Sequence, residues 1–205
     1  MARPREFDAD RALDGALQLF WAKGYEATSL DEICDATGLS RSSLYGAFGD
    51  KRALLLRSLE RYSEGGSARI AARLDATRPI RAALLALLED FIAQIVAGPG
   101  RRGCFIGNCA AELARGDREA MACVRRSLER NTTVFRDALA RAQARGDLAA
   151  GADIAEMARF LTAGIQGLRL VGKAMPDRAT LDGIASTLLR CLDADRTSMA
   201  KQGKS

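Results

Sequence analysis

An all-α fold is predicted for this chain by three properties of its sequence. Alanine, leucine and arginine are abundant and β-branched residues sparse, which favours helix at most positions. Apolar residues recur mostly at spacings of three and four, the period of a helix with one buried stripe, and no segment alternates convincingly as a strand would. At 205 residues and 48% hydrophobic content, the chain can bury one large core or join a small unit to a larger one.

The expected helices follow in order. Asp8 or Asp10 caps a first helix that carries Leu13, Ala16, Leu17 and Phe20 on one face and ends near Gly24. Thr28 and Ser29 precede Asp31 and Glu32 at capping-box spacing, which starts a short helix bearing Leu30, Ile33 and Ala36; Gly38 stops it. In SRSSLYGAF, residues 40 to 48, Leu44 and Phe48 are four apart and share a face, and Ser40 can cap the start. A longer helix runs from about Asp50 to Leu74, with Leu54, Leu55, Leu59, Tyr62 and Ile70 inward; Gly65 and Gly66 interrupt its pattern and place a flexible joint there. Pro79 suits the first turn of the next helix, and AGPGRRG is a loop before a helix from about Cys104 to Arg115. Asp117 caps a long helix to about Arg145, RGDLAAGAD is a loop, and two last helices span roughly Ile154 to Ala174 and Asp177 to Leu192. The expected division is 1–66, 67–195, and a flexible tail over 196–205.

Composition narrows the function classes. The chain has no histidine, which removes Ser-His-Asp and Cys-His nucleophile arrangements and the common histidine metal sites, so no catalytic set, metal or cofactor is expected. Five cysteines without paired C-x-x-C spacing fit reduced thiols. The longest apolar stretch, AALLALLEDFIAQIVAG, is broken by Glu89 and Asp90, and MARPREFDAD has no apolar signal region, so a cytoplasmic protein without a membrane partner is expected. Net charge is +5, yet the first 73 residues balance to zero; only locally placed cations could argue for nucleic acid.

Two brief helices separated by a tight glycine turn, the second opening on Arg41, Ser42 and Ser43, form the helix-turn-helix pattern, in which the second helix enters the DNA major groove. The surrounding run TSLDEICDATGLSRSSLYGAFGDKRAL, residues 28 to 54, resembles the DNA-binding signature of tetracycline-repressor-like (TetR-family) regulators: Thr28, Ile33, Ala36, Gly38, Leu44, Tyr45, Phe48, Lys51 and Leu54 fall at its offsets. Cys34 and Ala47 depart from it mildly. GCFIGNCAAEL, residues 103 to 113, is similar to a stretch in one branch of that family. The resemblance implies an all-helical homodimer with an amino-terminal three-helix DNA-binding domain and a larger carboxy-terminal domain that binds a small effector and dimerises. The expected function is a dimeric, sequence-specific repressor on a palindromic double-stranded operator, released by an unidentified small molecule or by thiol modification. The alternative is a small-molecule-binding or redox-reactive protein of the same fold without operator binding.

Arg41 is the candidate base reader, since a guanidinium pairs with guanine O6 and N7, with a phosphate contact as its competitor. Ser40, Ser42 and Ser43 cluster at the helix start, and Thr28, Tyr45 and Lys51 resemble the family's phosphate clamps, which set register rather than sequence preference. Phe91, Phe105, Asn108, Phe135, Phe160 and Gln166 are candidate effector-pocket walls, although ordinary core uses the same residues. Cys104, after Arg101 and Arg102 at a helix start, is a candidate sensing thiol with Cys109 or Cys123 as partners; the competing role is small apolar filler. Leu161, Ile165, Leu168, Leu181, Ile184 and Leu188 are candidate dimer contacts, with Ala163, Gly164 and Gly167 permitting close approach and internal packing as the alternative.

Overall fold

The computed structural model describes residues 9–75, 77–114 and 116–193. Among them are nine α-helices and no strand: α1 (Ala9–Lys23), α2 (Leu30–Thr37), α3 (Arg41–Phe48), α4 (Lys51–Arg73), α5 (Ile80–Val96), α6 (Phe105–Leu113), α7 (Arg118–Ala144), α8 (Ile154–Ala174) and α9 (Arg178–Leu189). Short 3-10 turns cover Pro99–Arg102 and Arg190–Asp193. Among the described residues no helix is long and apolar enough to cross a membrane. The proposed cap Asp8 and the tail over 196–205 lie outside the described residues.

Most helices start on a short polar side chain that accepts an otherwise orphaned backbone N–H. Ser29 accepts from Glu32 N at 3.2 Å while Glu32 Oε2 accepts from Ser29 N at 2.8 Å, the reciprocal capping box. Asp50 does the same for Ala53 (2.7 Å), Asp117 for Ala120 (2.9 Å), Asp153 for Glu156 (2.9 Å) and Asp177 for Thr180 (2.9 Å). These bonds define where each helix begins. Burial then decides how the helices pack.

Two apolar cores form. The first joins α1 to α3 and the start of α4 around Phe20, Ile33, Leu44 and Leu55, and it also recruits Phe105, Ile106, Cys109 and Leu113 of α6 with Val124 of α7. The second gathers the rest of α4 with α5, the far half of α7, α8 and α9 around Leu84, Ile92, Phe135, Leu161 and Leu181. Each fully buried leucine or phenylalanine contributes about 1.5–3 kcal/mol of transfer free energy. Because α4 and α7 run through both cores, the amino-terminal unit is fastened to the rest along most of α4.

Gly65 and Gly66 do not break α4, which is continuous through them. Packing against α7 offsets the local cost of two glycines: Ser63 and Ser67 are buried on either side, and Arg130 of α7 bonds Glu60 at 2.6 Å and Ser63 at 3.3 Å.

The six apolar side chains expected at a dimer interface instead serve this core. Leu161, Ile165, Leu168, Leu181 and Leu188 are buried within the single chain, and half-buried Ile184 packs against them. Gly164 is needed inside the chain as well, since a Cβ there would stand 2.1 Å from Leu188 Cδ2. One apolar stripe of α8 is thereby committed to the core of its own chain. A second stripe, Phe160, Ala163, Gly167 and Leu170, faces outward, with Phe160 47% and Leu170 67% exposed.

Candidate nucleic-acid interface and effector cavity

α3 is a short helix held from beneath and open above. Leu44 and Phe48 are buried in the first core, so Arg41, Ser42, Ser43 and Tyr45 on the remaining face are exposed. Ser40 caps the helix, its Oγ accepting from Ser43 N at 3.2 Å and lying 3.0 and 2.9 Å from the hydroxyls of Ser42 and Ser43. This concentrates three hydroxyls at the helix N-terminus, where donors and the helix dipole suit an anion. Arg41 is held by Asp31 of α2 through Nε (3.1 Å) and Nη2 (2.7 Å). The pair is exposed, so it orients Arg41 at little cost to its release.

Two further cations frame this face. Lys51 lies 4.4 Å above the Tyr25 ring, and Arg57 bonds the Ala47 carbonyl at 3.0 Å while covering the Phe48 ring at 5.4 Å. Tyr45 is 46% exposed, which resolves its competing roles in favour of the surface. Thr28 requires a correction: it is buried, and its hydroxyl donates to the Gly24 carbonyl at 2.6 Å. In this conformation that proton is committed to the turn before α2.

The same turn is gripped from the larger unit. Glu112 on α6 accepts from Tyr25 N (3.1 Å) and Glu26 N (2.9 Å), and Gly24 has φ +87° with a would-be Cβ 3.0 Å from Glu112 Oε2. Only glycine fits that conformation and approach. At the start of α7, Arg52 holds Asp117 by two bonds (2.7 and 2.8 Å) and Glu119 at 2.9 Å. The Arg52 guanidinium and the Ala120 amide hold the Asp117 carboxyl down at about 2.

Above these contacts lies a cavity of about 570 Å³ between the two cores. Its walls come from α1 (Trp21), α4 (Tyr62, Arg69, Ile70), α5 (Leu87, Phe91), α7 (Asn131) and α8 (Arg169), with Cys104 and Ile106 closing one side. Arg169 donates to the Tyr62 hydroxyl (2.8 Å) and the Gly103 carbonyl (2.9 Å), and its guanidinium lies 5.3 Å from the Phe91 ring. The Tyr62 hydroxyl in turn lies 3.9 Å from Cys104 Sγ. Burial, reinforced by Cys104, pushes the Tyr62 phenol up to about 12, so it remains a neutral donor near neutral pH. A groove of about 560 Å³ flanks Cys104 on the other side, with Asn108, Gln166, Leu170 and Lys173.

The expected pocket residues therefore separate. Phe91 lines the cavity, whereas Asn108 and Gln166 line the neighbouring groove. Phe105 and Phe135 are fully buried core, each committed to one of the two cores, and Phe160 stands on the outer face of α8. The electrostatic setting of Cys104 also differs from the sequence expectation. Arg102 stacks 4.3 Å from the Trp21 ring and bonds Gln18 at 2.9 Å, while Arg101 reaches the Val96 carbonyl. The cation that Tyr62 links to Cys104 is Arg169, far away in sequence. Cys109 and Cys123 are buried, and burial pushes both thiols up, Cys109 to about 12. All five cysteines are free.

The comparisons match this architecture in both halves. Residues 12–57 match the model of bacterial regulatory proteins of the tetR family, and residues 81–188 match that of the tetracyclin repressor-like carboxy-terminal domain. The uncharacterized HTH-type transcriptional regulator YezE of Bacillus subtilis is 30% identical over 94% of this chain and 100% of its own length. The HTH-type transcriptional repressor ComR of Escherichia coli is 34% identical over 92% of this chain and 90% of its own. Among solved structures, a cysteine mutant of the TetR-family regulator CifR in complex with a 26-base-pair operator DNA superimposes with TM-score 0.79 at 32% identity, covering 92% of this chain and 98% of that one. Signature, helix order and both family matches agree: this chain belongs to the TetR family of bacterial transcriptional regulators.

Proposed function

We propose that the protein is a homodimeric repressor that reads a palindromic operator with one α3 helix from each subunit. The carrying observation is the exposed face of α3, four polar or amphipathic side chains anchored by buried Leu44 and Phe48. Arg41 reads a base edge after leaving Asp31, Ser40, Ser42 and Ser43 bind base or phosphate, and Tyr45 and Lys51 hold phosphates to fix register. The operator-bound CifR structure supports the same use of the fold. The outward stripe of α8, Phe160, Ala163, Gly167 and Leu170, is the dimer face, since side chains spaced at three and four on one helix suit a symmetric helix pair.

Release follows from the position of the cavity. Trp21 belongs to the DNA-binding unit yet lines a cavity shared with α5, α7 and α8, and Glu112 ties the other end of α6 to the turn before α2. An effector that binds the two dimer geometries unequally, or a modification of Cys104 at the head of α6, shifts the spacing of the two α3 helices. Selection of bound duplexes from a random pool by reduced protein tests the reading. A palindromic consensus with steep salt dependence is the expected result; no enrichment by a folded dimer would favour a protein of this fold without operator binding.

A further inference from the structure

Two buried side-chain polar atoms lack a hydrogen-bond partner among the described residues, Trp21 Nε1 and Asn131 Oδ1, and both residues line the same 570 Å³ cavity. Buried polar groups are almost always paired, because leaving one unsatisfied costs about 1–3 kcal/mol. The two orphans are chemically opposite. An indole N–H only donates and an amide oxygen only accepts; both atoms expose almost no surface in this conformation, so a small rotation of each side chain on binding would present a donor on one wall and an acceptor on another.

Charge narrows the occupant further. The lining carries Arg69, Arg73 and Arg169 against a single carboxylate, Asp90, which Arg73 already pairs with at 2.6 Å. Arg69 has no ion-pair partner among the described residues, and Arg169 spends its bonds on a hydroxyl and a carbonyl, which leave its charge uncompensated. Ile70, Leu87, Phe91 and Ile106 supply apolar walls. A volume of this size suits a small molecule.

We propose that this cavity binds an organic acid: a carboxylate accepting from Trp21 Nε1 with Arg69 and Arg169 as countercharge, an apolar body against Phe91 and Leu87, and a separate hydroxyl or amide donor on Asn131 Oδ1. The proposal rests on the effector reading above and gives it a ligand class. It also explains why the orphan donor sits on α1: the acid bonds directly to the DNA-binding unit.

Trp21 is the only tryptophan in the chain, so its fluorescence reports the site in full-length protein without DNA. The probes are 4-hydroxyphenylacetate and 3-(4-hydroxyphenyl)propanoate, their methyl esters, and the deoxy acid 3-phenylpropanoate. Saturable changes are expected for the acids, with the esters at least about ten-fold weaker, the scale of one charge-assisted contact. Arg69→Gln should erase most of the acid-over-ester preference, and Asn131→Leu should erase the advantage of the hydroxylated over the deoxy acid. No saturable change with either acid, or equal binding of acid and ester, overturns the proposal. Operator binding measured without ligand fails or survives independently, so loss of the acid site and loss of the repressor reading are separately visible.

Discussion

Replacing Glu112 by alanine removes the contact through which α6 holds the turn ahead of α2. Its carboxylate accepts two backbone N–H groups, Tyr25 at 3.1 Å and Glu26 at 2.9 Å. Bonds to a charged acceptor contribute about 1.5–3 kcal/mol when desolvated, but both lie at the surface, where freed amides rehydrate, so about 0.5–1 kcal/mol each is the appropriate scale. The pair then contributes about 1–2 kcal/mol, which for a chain of this size lowers Tm by roughly 2–8 °C. Glu112→Gln keeps one amide carbonyl as acceptor and loses the charge, and should fall between. Thermal scans give the stability order, and operator titrations with and without a saturating effector or oxidant give the coupling. The expected outcome is a ratio of operator affinities in the two states that moves towards one in the alanine variant. A variant with wild-type Tm and an unchanged ratio would refute a role for this contact in transmitting the signal.

Arg41→Ala should relax sequence preference at one position per half-site, by roughly ten-fold between the best and the next base; uniform weakening on every duplex would return Arg41 to a phosphate contact. On α8, Leu170→Arg should give a monomer by light scattering with helix content intact, whereas Leu161→Ala, in the core, should lower stability by about 3 kcal/mol and leave the dimer assembled. The reverse pattern would restore Leu161 to the interface. Cys104→Ser should abolish oxidant-induced release from the operator and leave binding of reduced protein unchanged; wild-type release in that variant would make Cys104 core filler. Acid stability tests the Arg52–Asp117 junction. The folded Asp117 carboxyl lies near 2, below its ordinary value of 3.8, so its contribution is present above about pH 4 and lost as pH falls towards 2. Asp117→Asn should flatten the dependence of Tm on pH in that window, and an unchanged slope would remove the junction from the account.

The local signals in the sequence are strong where a short-range rule decides the outcome. Ser29, Ser40, Asp50 and Asp117 cap their helices because each cap depends on residues two or three positions away. The exposed face of α3 was legible for the same reason, since Leu44 and Phe48 fix which side is buried. Thr28 misled because family position says where a residue stands, while the route of its hydroxyl depends on the turn from Gly24. Leu161 and Leu168 misled because a helix with two apolar stripes has two possible partners, and periodicity alone does not say which stripe meets the same chain. The cavity was least legible. Trp21, Tyr62, Asn131 and Arg169 come from four helices separated by long stretches of chain, and the one sequence hint, an arginine at position 169 between Leu168 and Leu170, becomes informative only once Tyr62 and Gly103 are seen opposite it.

In the function proposed above, α6 is the common route by which ligand and thiol chemistry reach the DNA-binding unit. Its first residues belong to the cavity wall, with Cys104 beside Tyr62 and Ile106 in the lining, and its last turn ends in Glu112 on the Tyr25 and Glu26 amides. Nine residues of α-helix span about 13 Å, and Phe105, Ile106, Cys109 and Leu113 are buried in the amino-terminal core. A helix packed so tightly moves as a body rather than bending locally. Under that proposal a displacement at Cys104, whether from an added oxygen or from an occupant pressing on Tyr62, is passed to Glu112 and the turn that sets α2 and α3. In the same proposal Trp21, which lines the cavity from α1, gives the ligand a second, direct hold that the thiol lacks. Occupancy of the cavity should accordingly bias the dimer through two contacts and oxidation through one, which makes the Glu112 variants the means of separating them: weakening the α6 route removes the whole thiol response but only part of the ligand response.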